Sequence, residues 1–332
     1  MRELGLANTK KRYELFSTLE LQSVAMIEAE LLKQARNYFE LNGFTEVITP
    51  HITRATGSCE NMMTVFTLNY FEQMGYLAQT GQLYLESMVP SLGKVFCIGP
   101  SFRAEPDADE RHLTEFTLME IELPCNLDEL IVHIEKLLCH MIKGVLQNKQ
   151  KELEILHVNQ ERLRSVKRHF NRITYTEAVE ILSDQGVKWG DDLKSRHEKF
   201  LAEYFGNKPL FITHFPEEIK FFNMKTNEDN PRVVNSTDLI LPGVGEAVGA
   251  AEREYEYEKI LEKLKKSRML KQLEEIDGSI NDFDWYLDFY KKFGGQPHAG
   301  FGMGMTRVNQ FVFGFNDIRT CTVFPLNRES LI

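Results

Sequence analysis

Arg103, Glu105, Arg111, His112, Glu115, Phe116 and Glu120 fall in one stretch of this chain, between Ile98 and Leu123. Two arginines and a histidine at close spacing can hold a multiply charged anion, because the planar guanidinium fork meets phosphate-like oxygens in pairs and also stacks on rings. A second stretch, Gly300-Phe-Gly-Met-Gly-Met-Thr-Arg307, lies near the other end of the sequence. Glycine on alternate strand positions leaves one face without side chains, where a flat ligand can lie against the backbone. Arg307 then stands where that strand runs into the apolar stretch Val308 to Phe315.

These residues need a scaffold, and the patterning predicts one. Alternating apolar segments flank the Pro/Asp-rich connection after Arg103, which reads as two antiparallel strands joined by a long loop. Strand alternation sets Arg103 and Glu105 on one face and Phe102 and Ala104 on the other. Ser17-Thr-Leu-Glu20 opens a helix with the stripe Val24, Ile27, Leu31, Ala35 and Phe39, closed by Gly43. Phe44 to Pro50 is extended, and residues 53–64 read as a loop. Asn126-Leu-Asp-Glu129 caps a further helix to about Leu146. The mixed stretch from 147 to 208, with Arg162, Arg164, Lys167 and Arg168, reads as an inserted helical subdomain. Leu210-Phe-Ile-Thr and Val233 to Leu241 read as core strands, and Glu254 to Glu275 as an exposed helix with i,i+4 charge pairs. Residues 1–16 form a short basic arm ahead of a domain over 17–332.

Composition narrows the class. The 332 residues are 42% hydrophobic and 27% charged, which describes a globular chain. No apolar run approaches the roughly 18 residues of a membrane span, and Met1-Arg-Glu-Leu lacks a signal-peptide core, so no membrane partner and a cytoplasmic location are expected. Cys59, Cys97, Cys125, Cys139 and Cys321 are scattered without a Cys-x-x-Cys pair, so neither a disulfide framework nor a zinc site is indicated. A net charge of −10 runs against the basic surface with which proteins grip nucleic-acid phosphates.

Phe102-Arg103-x-Glu105 with Arg111-His112-x-x-Glu115-Phe116, and Gly300-x-Gly-x-Gly-x-x-Arg307, resemble signatures of the class II aminoacyl-tRNA synthetases. The long first helix, short strand and Pro50 resemble a further signature, which in that family forms the dimer interface; a homodimer is therefore expected. The resemblance implies an α/β (α+β) domain with a mainly antiparallel sheet flanked by helices. Tyr76-Leu-Ala-Gln-Thr-Gly-Gln-Leu-Tyr-Leu-Glu86 resembles the asparaginyl branch: Leu85 stands where the aspartyl branch carries a lysine. Pro242-Gly-Val-Gly-Glu246, followed by Arg253-Glu254, is also asparaginyl in type, although Ala251-Glu252 replaces the usual Ser-Gln and Thr306 replaces the usual Glu.

By this resemblance Arg103 takes the α-phosphate of ATP, Arg111 and His112 the β,γ-phosphates, and Arg307 the γ-phosphate and the adenine, with Glu105 and Phe116 completing the nucleotide site. Glu60, Gln82 and Glu120 hold the amino acid's ammonium group, Arg253 its far end, and Glu246 with Asp238 a Mg2+ ion. The reaction implied is attack of a carboxylate on the α-phosphorus, an AMP-forming ligation. Too few residues precede the first helix for the anticodon-binding β-barrel of asparaginyl enzymes. With the acidic balance, that resembles the archaeal-type asparagine synthetases related to them, so aspartate, ATP and ammonia are the expected substrates and tRNA a doubtful partner. Two alternatives stay open: an asparaginyl- or aspartyl-tRNA synthetase paralogue that acylates tRNA or a small-molecule amine, and a regulatory paralogue without turnover.

Overall fold

In the computed structural model, residues 5–6, 11–55 and 62–331 are described. The strands are β1 (Thr45–Glu46), β2 (Ile52–Thr53), β3 (Thr67–Tyr70), β4 (Gln73–Leu77), β5 (Val95–Phe102), β6 (Glu115–Leu123), β7 (Asn171–Thr174), β8 (Leu210–Thr213), β9 (Ser236–Leu241), β10 (Gly245–Glu252) and β11 (Ala299–Gly304). The α-helices are α1 (Leu19–Leu41), α2 (Gln82–Leu92), α3 (Leu127–Asn148), α4 (Gln150–Ile155), α5 (Gln160–Arg164), α6 (Tyr175–Ile181), α7 (Ser195–Tyr204), α8 (Tyr257–Lys266), α9 (Arg268–Glu275), α10 (Asp284–Phe293) and α11 (Met305–Phe313). Eight strands form one sheet in the order β1-β5-β6-β11-β10-β9-β8-β7, antiparallel except at its two edges; β2, β4 and β3 form a small second sheet.

Register explains how distant residues meet. Pairing of β6 with β11 sets Glu120 beside Gly302 and Glu122 beside Gly300, and pairing of β11 with β10 continues those rows to Gly249 and Ala251. β9 adds Asp238 and Ser236. The odd positions of β6, Met119, Ile121 and Leu123, point the other way. They join Phe96, Phe301, Met303, Val248 and Leu239 in a core covered by the apolar stripes of α1 and α3. A period of two thus divides β6 into a packed face and a charged one. Both covering helices start on side-chain caps: Thr18 accepts from the Leu21 N–H, and Asn126 and Glu129 form a reciprocal capping box.

Two expectations change in detail. Arg103 and Glu105 lie just beyond the end of β5, so their placement follows the loop, where Arg103 N–H donates to Thr114 O at 2.8 Å and Ala104 N–H to Thr64 O at 2.7 Å. The charged stretch 254–275 is two helices broken at Ser267, which caps α9, and their inner faces bury Ile260, Leu264, Met269, Leu270 and Leu273 in a second core. The stretch from 147 to 208 supplies helices α4 to α7 and the edge strand β7 of the main sheet.

Gly300 tests the rows directly. A β-carbon there would overlap the Glu122 carboxyl group and the Ile121 carbonyl oxygen. Gly300→Ala is expected to cost about 1–3 kcal/mol, the range of an overpacked core position, seen as a lower urea midpoint with an unchanged slope. An unchanged midpoint would mean that β6 and β11 are not locked in this register.

Candidate active site

The charged face of the sheet has a floor and two walls. Gly249, Gly302 and Gly304 form the floor; a β-carbon at Gly304 would meet nothing within 4 Å, so the surface above it is open. Arg103, Glu105, Arg111, His112 and Phe116 line one side of this cleft, and Glu246, Thr306 and Arg307 the other. The Arg103 guanidinium sits 5.3 Å from the Phe116 ring centroid. Arg307 is held by an N–H bond to the Glu246 carbonyl. His112 Nδ1 lies 2.8 Å from Asp109 Oδ1, which also accepts the backbone N–H groups of Arg111 and His112. Burial raises the Asp109 carboxyl, but those bonds outweigh it and leave it below its ordinary value. The C-terminal segment pins the loop: Thr114 N–H donates to Leu326 O, and Ile318 N–H to Glu110 O, both at 2.9 Å.

Glu246 and Asp238 meet over Gly249, where a β-carbon would lie 3.3 Å from Glu246 Oε1 and 3.8 Å from Asp238 Oδ1. Hard carboxylate oxygens over a bare backbone, next to an arginine-lined cleft, fit a magnesium ion carried on phosphate oxygens. Lys220 also reaches this point, its Nζ 3.0 and 3.3 Å from the two Asp238 oxygens.

Beyond the next row of the sheet lies a buried polar cluster. Arg253, 3% exposed, donates Nε to Glu122 Oε1 at 3.0 Å and Nη2 to the Gly300 carbonyl at 3.1 Å, and its Nη2 also lies 2.9 Å from Glu122 Oε1. Its Nε is 4.0 Å from Glu86. Glu86 accepts from Gln82 Nε2 at 2.9 Å, Asn223 Nδ2 at 2.5 Å and Tyr286 OH at 2.7 Å, and His298 Nε2 stands 3.7 Å away. Burial raises Glu86, but His298, Arg253 and Tyr286 outweigh it and hold it low. Glu122 is different: burial, with Arg253 pulling down and Glu86 pushing up, takes it up to about 7. Its Oε2 is buried and has no hydrogen-bond partner among the described residues.

The residues expected from the sequence divide among these parts. Arg103, Glu105, Arg111, His112, Phe116, Glu246 and Arg307 share the cleft, with Asp238 beside Glu246. Gln82 and Arg253 share the buried cluster through Glu86. Glu120 occupies neither group of contacts: it accepts from Thr80 Oγ1 and from Gly81 N–H at 2.7 Å, at the start of α2, and burial raises its carboxyl above the ordinary range. Glu60 lies outside the described residues. Glu252, one of the departures near Arg253, points away from the cluster, its Oε1 accepting Leu127 N–H at 2.8 Å and so capping α3.

The sequence reading missed Glu122, Glu86, Asn223, His298, Lys220 and Glu198. Two of these had a signal. Glu122 stands two residues after Glu120 on one strand, and Glu86 four after Gln82 on one helix, so each pair shares a face. Glu198 had none, since α7 reaches the cleft only through the fold; its carboxylate accepts Glu246 N–H at 3.2 Å and lies 3.8 Å from Arg111. Burial first, and Glu246 next, raise its pKa.

With the geometry in place, comparison with known proteins is specific. The family model for class II tRNA synthetases (D, K and N) matches residues 6–328. An asparagine–tRNA ligase from Pelotomaculum thermopropionicum is 38% identical over 98% of this chain and 74% of its own. One from Pyrococcus abyssi is 36% identical over 92% of this chain and 68% of its own. A crystal structure of asparaginyl-tRNA synthetase from Pyrococcus horikoshii complexed with asparaginyl-adenylate superposes with a TM-score of 0.88 at 33% identity, covering all of this chain and 74% of that one.

These relatives correct two expectations. An ammonia-dependent asparagine synthetase acting on aspartate was expected, with tRNA a doubtful partner; the relatives are asparagine–tRNA ligases, and both readings give way to the alternative of a tRNA-acylating enzyme. They rested on overall charge and chain length, neither of which reports what a buried pocket recognises. The expected antiparallel sheet flanked by helices and the expected AMP-forming ligase both stand. This chain belongs to the class II tRNA synthetases and is an AMP-forming ligase with an asparaginyl-type core.

Proposed function

We propose that this chain activates asparagine with ATP and transfers the asparaginyl group to tRNA. The observation that carries the choice of amino acid is Glu122 Oε2, a buried acceptor without a donor among the described residues, held against Arg253. A side-chain amide answers both groups: its oxygen accepts from Arg253 and its N–H2 donates to Glu122. An aspartate carboxylate has no donor for Glu122 and would add a third negative group beside Glu122 and Glu86, at the cost of an uncompensated buried charge.

In this reading the α-carboxylate oxygen of asparagine attacks the α-phosphorus, and pyrophosphate leaves with the electron pair of the broken P–O bond. A ribose hydroxyl of the tRNA then attacks the acyl carbon; AMP departs, and the hydroxyl proton is released to solvent or phosphate. Arg103 holds the α-phosphate, Arg111 and His112 the β,γ-phosphates, and Arg307 the γ-phosphate and one face of the adenine, with Phe116 on the other and Glu105 at its rim. Glu246 and Asp238 would hold magnesium, which neutralises the departing pyrophosphate. Gln82, Glu120 and Glu60 are assigned to the ammonium group. Positioning and fixed charge then supply the catalysis without a general base. A homodimer through α1 and the segment after it fits the exposure of Leu41 (79%) and Ile48 (93%).

Pyrophosphate exchange into ATP tests the first half. Exchange is expected with asparagine, and about a hundredfold or more weaker with aspartate, the discrimination that buried polar groups give when left unpaired. Equal exchange with both would remove the assigned role of Glu122.

A further inference from the structure

Helix α7 sets one acidic side chain, which the reaction described above does not use, against residues that line the nucleotide cleft. Glu198 is 9% exposed. Its Oε2 accepts the backbone N–H of Glu246 at 3.2 Å and lies 3.8 Å from an Arg111 guanidinium nitrogen. The approach is built in on the other side as well. Gly245 has φ +97°, and a β-carbon there would overlap the Glu198 carboxylate and come within 3.1 Å of Arg111. The turn before β10 therefore accommodates this carboxylate only as glycine, and Glu198, Gly245, Glu246 and Arg111 form one packed unit. Leaving a carboxylate in such a place is unfavourable unless its contacts matter to something else.

Those contacts bear on the two sides of the cleft together. One fixes the backbone of Glu246, whose carbonyl in turn holds Arg307; the other gives the half-exposed Arg111 a defined direction. We propose that Glu198 is a positioning residue for ATP: it aligns Arg111 and the Glu246–Arg307 pair for the β,γ-phosphates, so that nucleotide binding depends on the helix inserted between β7 and β8. The inference rests on the ATP-activating reading of the cleft.

The test compares the wild-type chain with Glu198→Ala and Glu198→Gln, using asparagine-dependent pyrophosphate exchange together with calorimetric binding of a non-hydrolysable ATP analogue. Glu198→Ala removes a charged hydrogen bond, an effect of about ten- to a hundredfold. It is expected to weaken analogue binding and raise the KM for ATP by that factor, with the KM for asparagine unchanged. Glu198→Gln keeps an acceptor for the Glu246 N–H and is expected to recover part of the loss. Unchanged analogue binding in Glu198→Ala overturns the proposal, as does an equal rise in both KM values. A loss that follows only a lower melting temperature, absent in the folded fraction, overturns it as well. Calorimetry reads the role of Glu198 even if asparagine gives no exchange, so failure of the substrate assignment and failure of this inference are separable.

Discussion

Replacing Arg253 with leucine is expected to abolish asparagine activation and to cost about 3–5 kcal/mol of stability, the range for stripping one partner from a buried ion pair. Arg253 lies between two buried carboxylates, making a two-pronged contact with Glu122 and a longer one with Glu86. Leucine fills much of the volume but leaves both acids facing an apolar group. Their folded pKa values then climb, and a carboxyl whose folded pKa exceeds its unfolded value loses stability as pH rises. The deficit should therefore be full near pH 8 and shrink toward pH 5. Arg253→Lys restores the charge without the fork, so it should recover most of the stability and little of the activity. Urea denaturation at the two pH values checks this. A variant as stable as wild type at pH 8 would show that Glu122 and Glu86 are not ionised together in the fold.

The second large effect is a pH-dependent choice between asparagine and aspartate. Glu122 is pushed up to about 7, by burial first, with Arg253 opposing and Glu86 adding to it. Ionised, it accepts from an amide N–H2; protonated, it can donate to a carboxylate instead. The share of ionised Glu122 falls about tenfold between pH 8 and pH 6 for a group of that pKa. The protonated share rises about tenfold over the same range, so the preference for asparagine over aspartate, measured as the ratio of kcat/KM values in pyrophosphate exchange, should fall by about a hundredfold. Glu122→Gln carries both a donor and an acceptor at every pH, so its ratio should be low and flat. A wild-type ratio constant across this range would place the discrimination in another residue.

What could be read from the sequence was what the backbone itself demands. Alternating glycines at Gly300, Gly302 and Gly304 admit few uses other than a bare strand face, and the arginines of the hairpin suggested an anion site near it. The cap at Asn126 was equally local, whereas the cap of α1 falls on Thr18, one residue after the Ser17 that the Ser17–Glu20 pattern marks. The buried cluster was not legible as a unit, because Glu86, Glu122, Asn223, Arg253 and His298 come from five separate segments and meet only through strand register and helix packing. Glu252 illustrates the converse. Next to Arg253 in sequence it departs from the asparaginyl pattern, yet one step along a strand turns a side chain to the other face, where it caps α3. The mistaken expectation of ammonia as acceptor came from whole-chain charge and the short stretch ahead of the first helix, neither of which reports on the acyl acceptor.

The most direct test of the central claim is acylation of a tRNA pool by the purified chain with radiolabelled asparagine, ATP and magnesium, read as acid-precipitable counts. Label on tRNA that requires ATP, is released by mild base and does not appear with labelled aspartate is the predicted result. Absence of label on tRNA, with aspartate and ammonium yielding free asparagine and AMP instead, would contradict it.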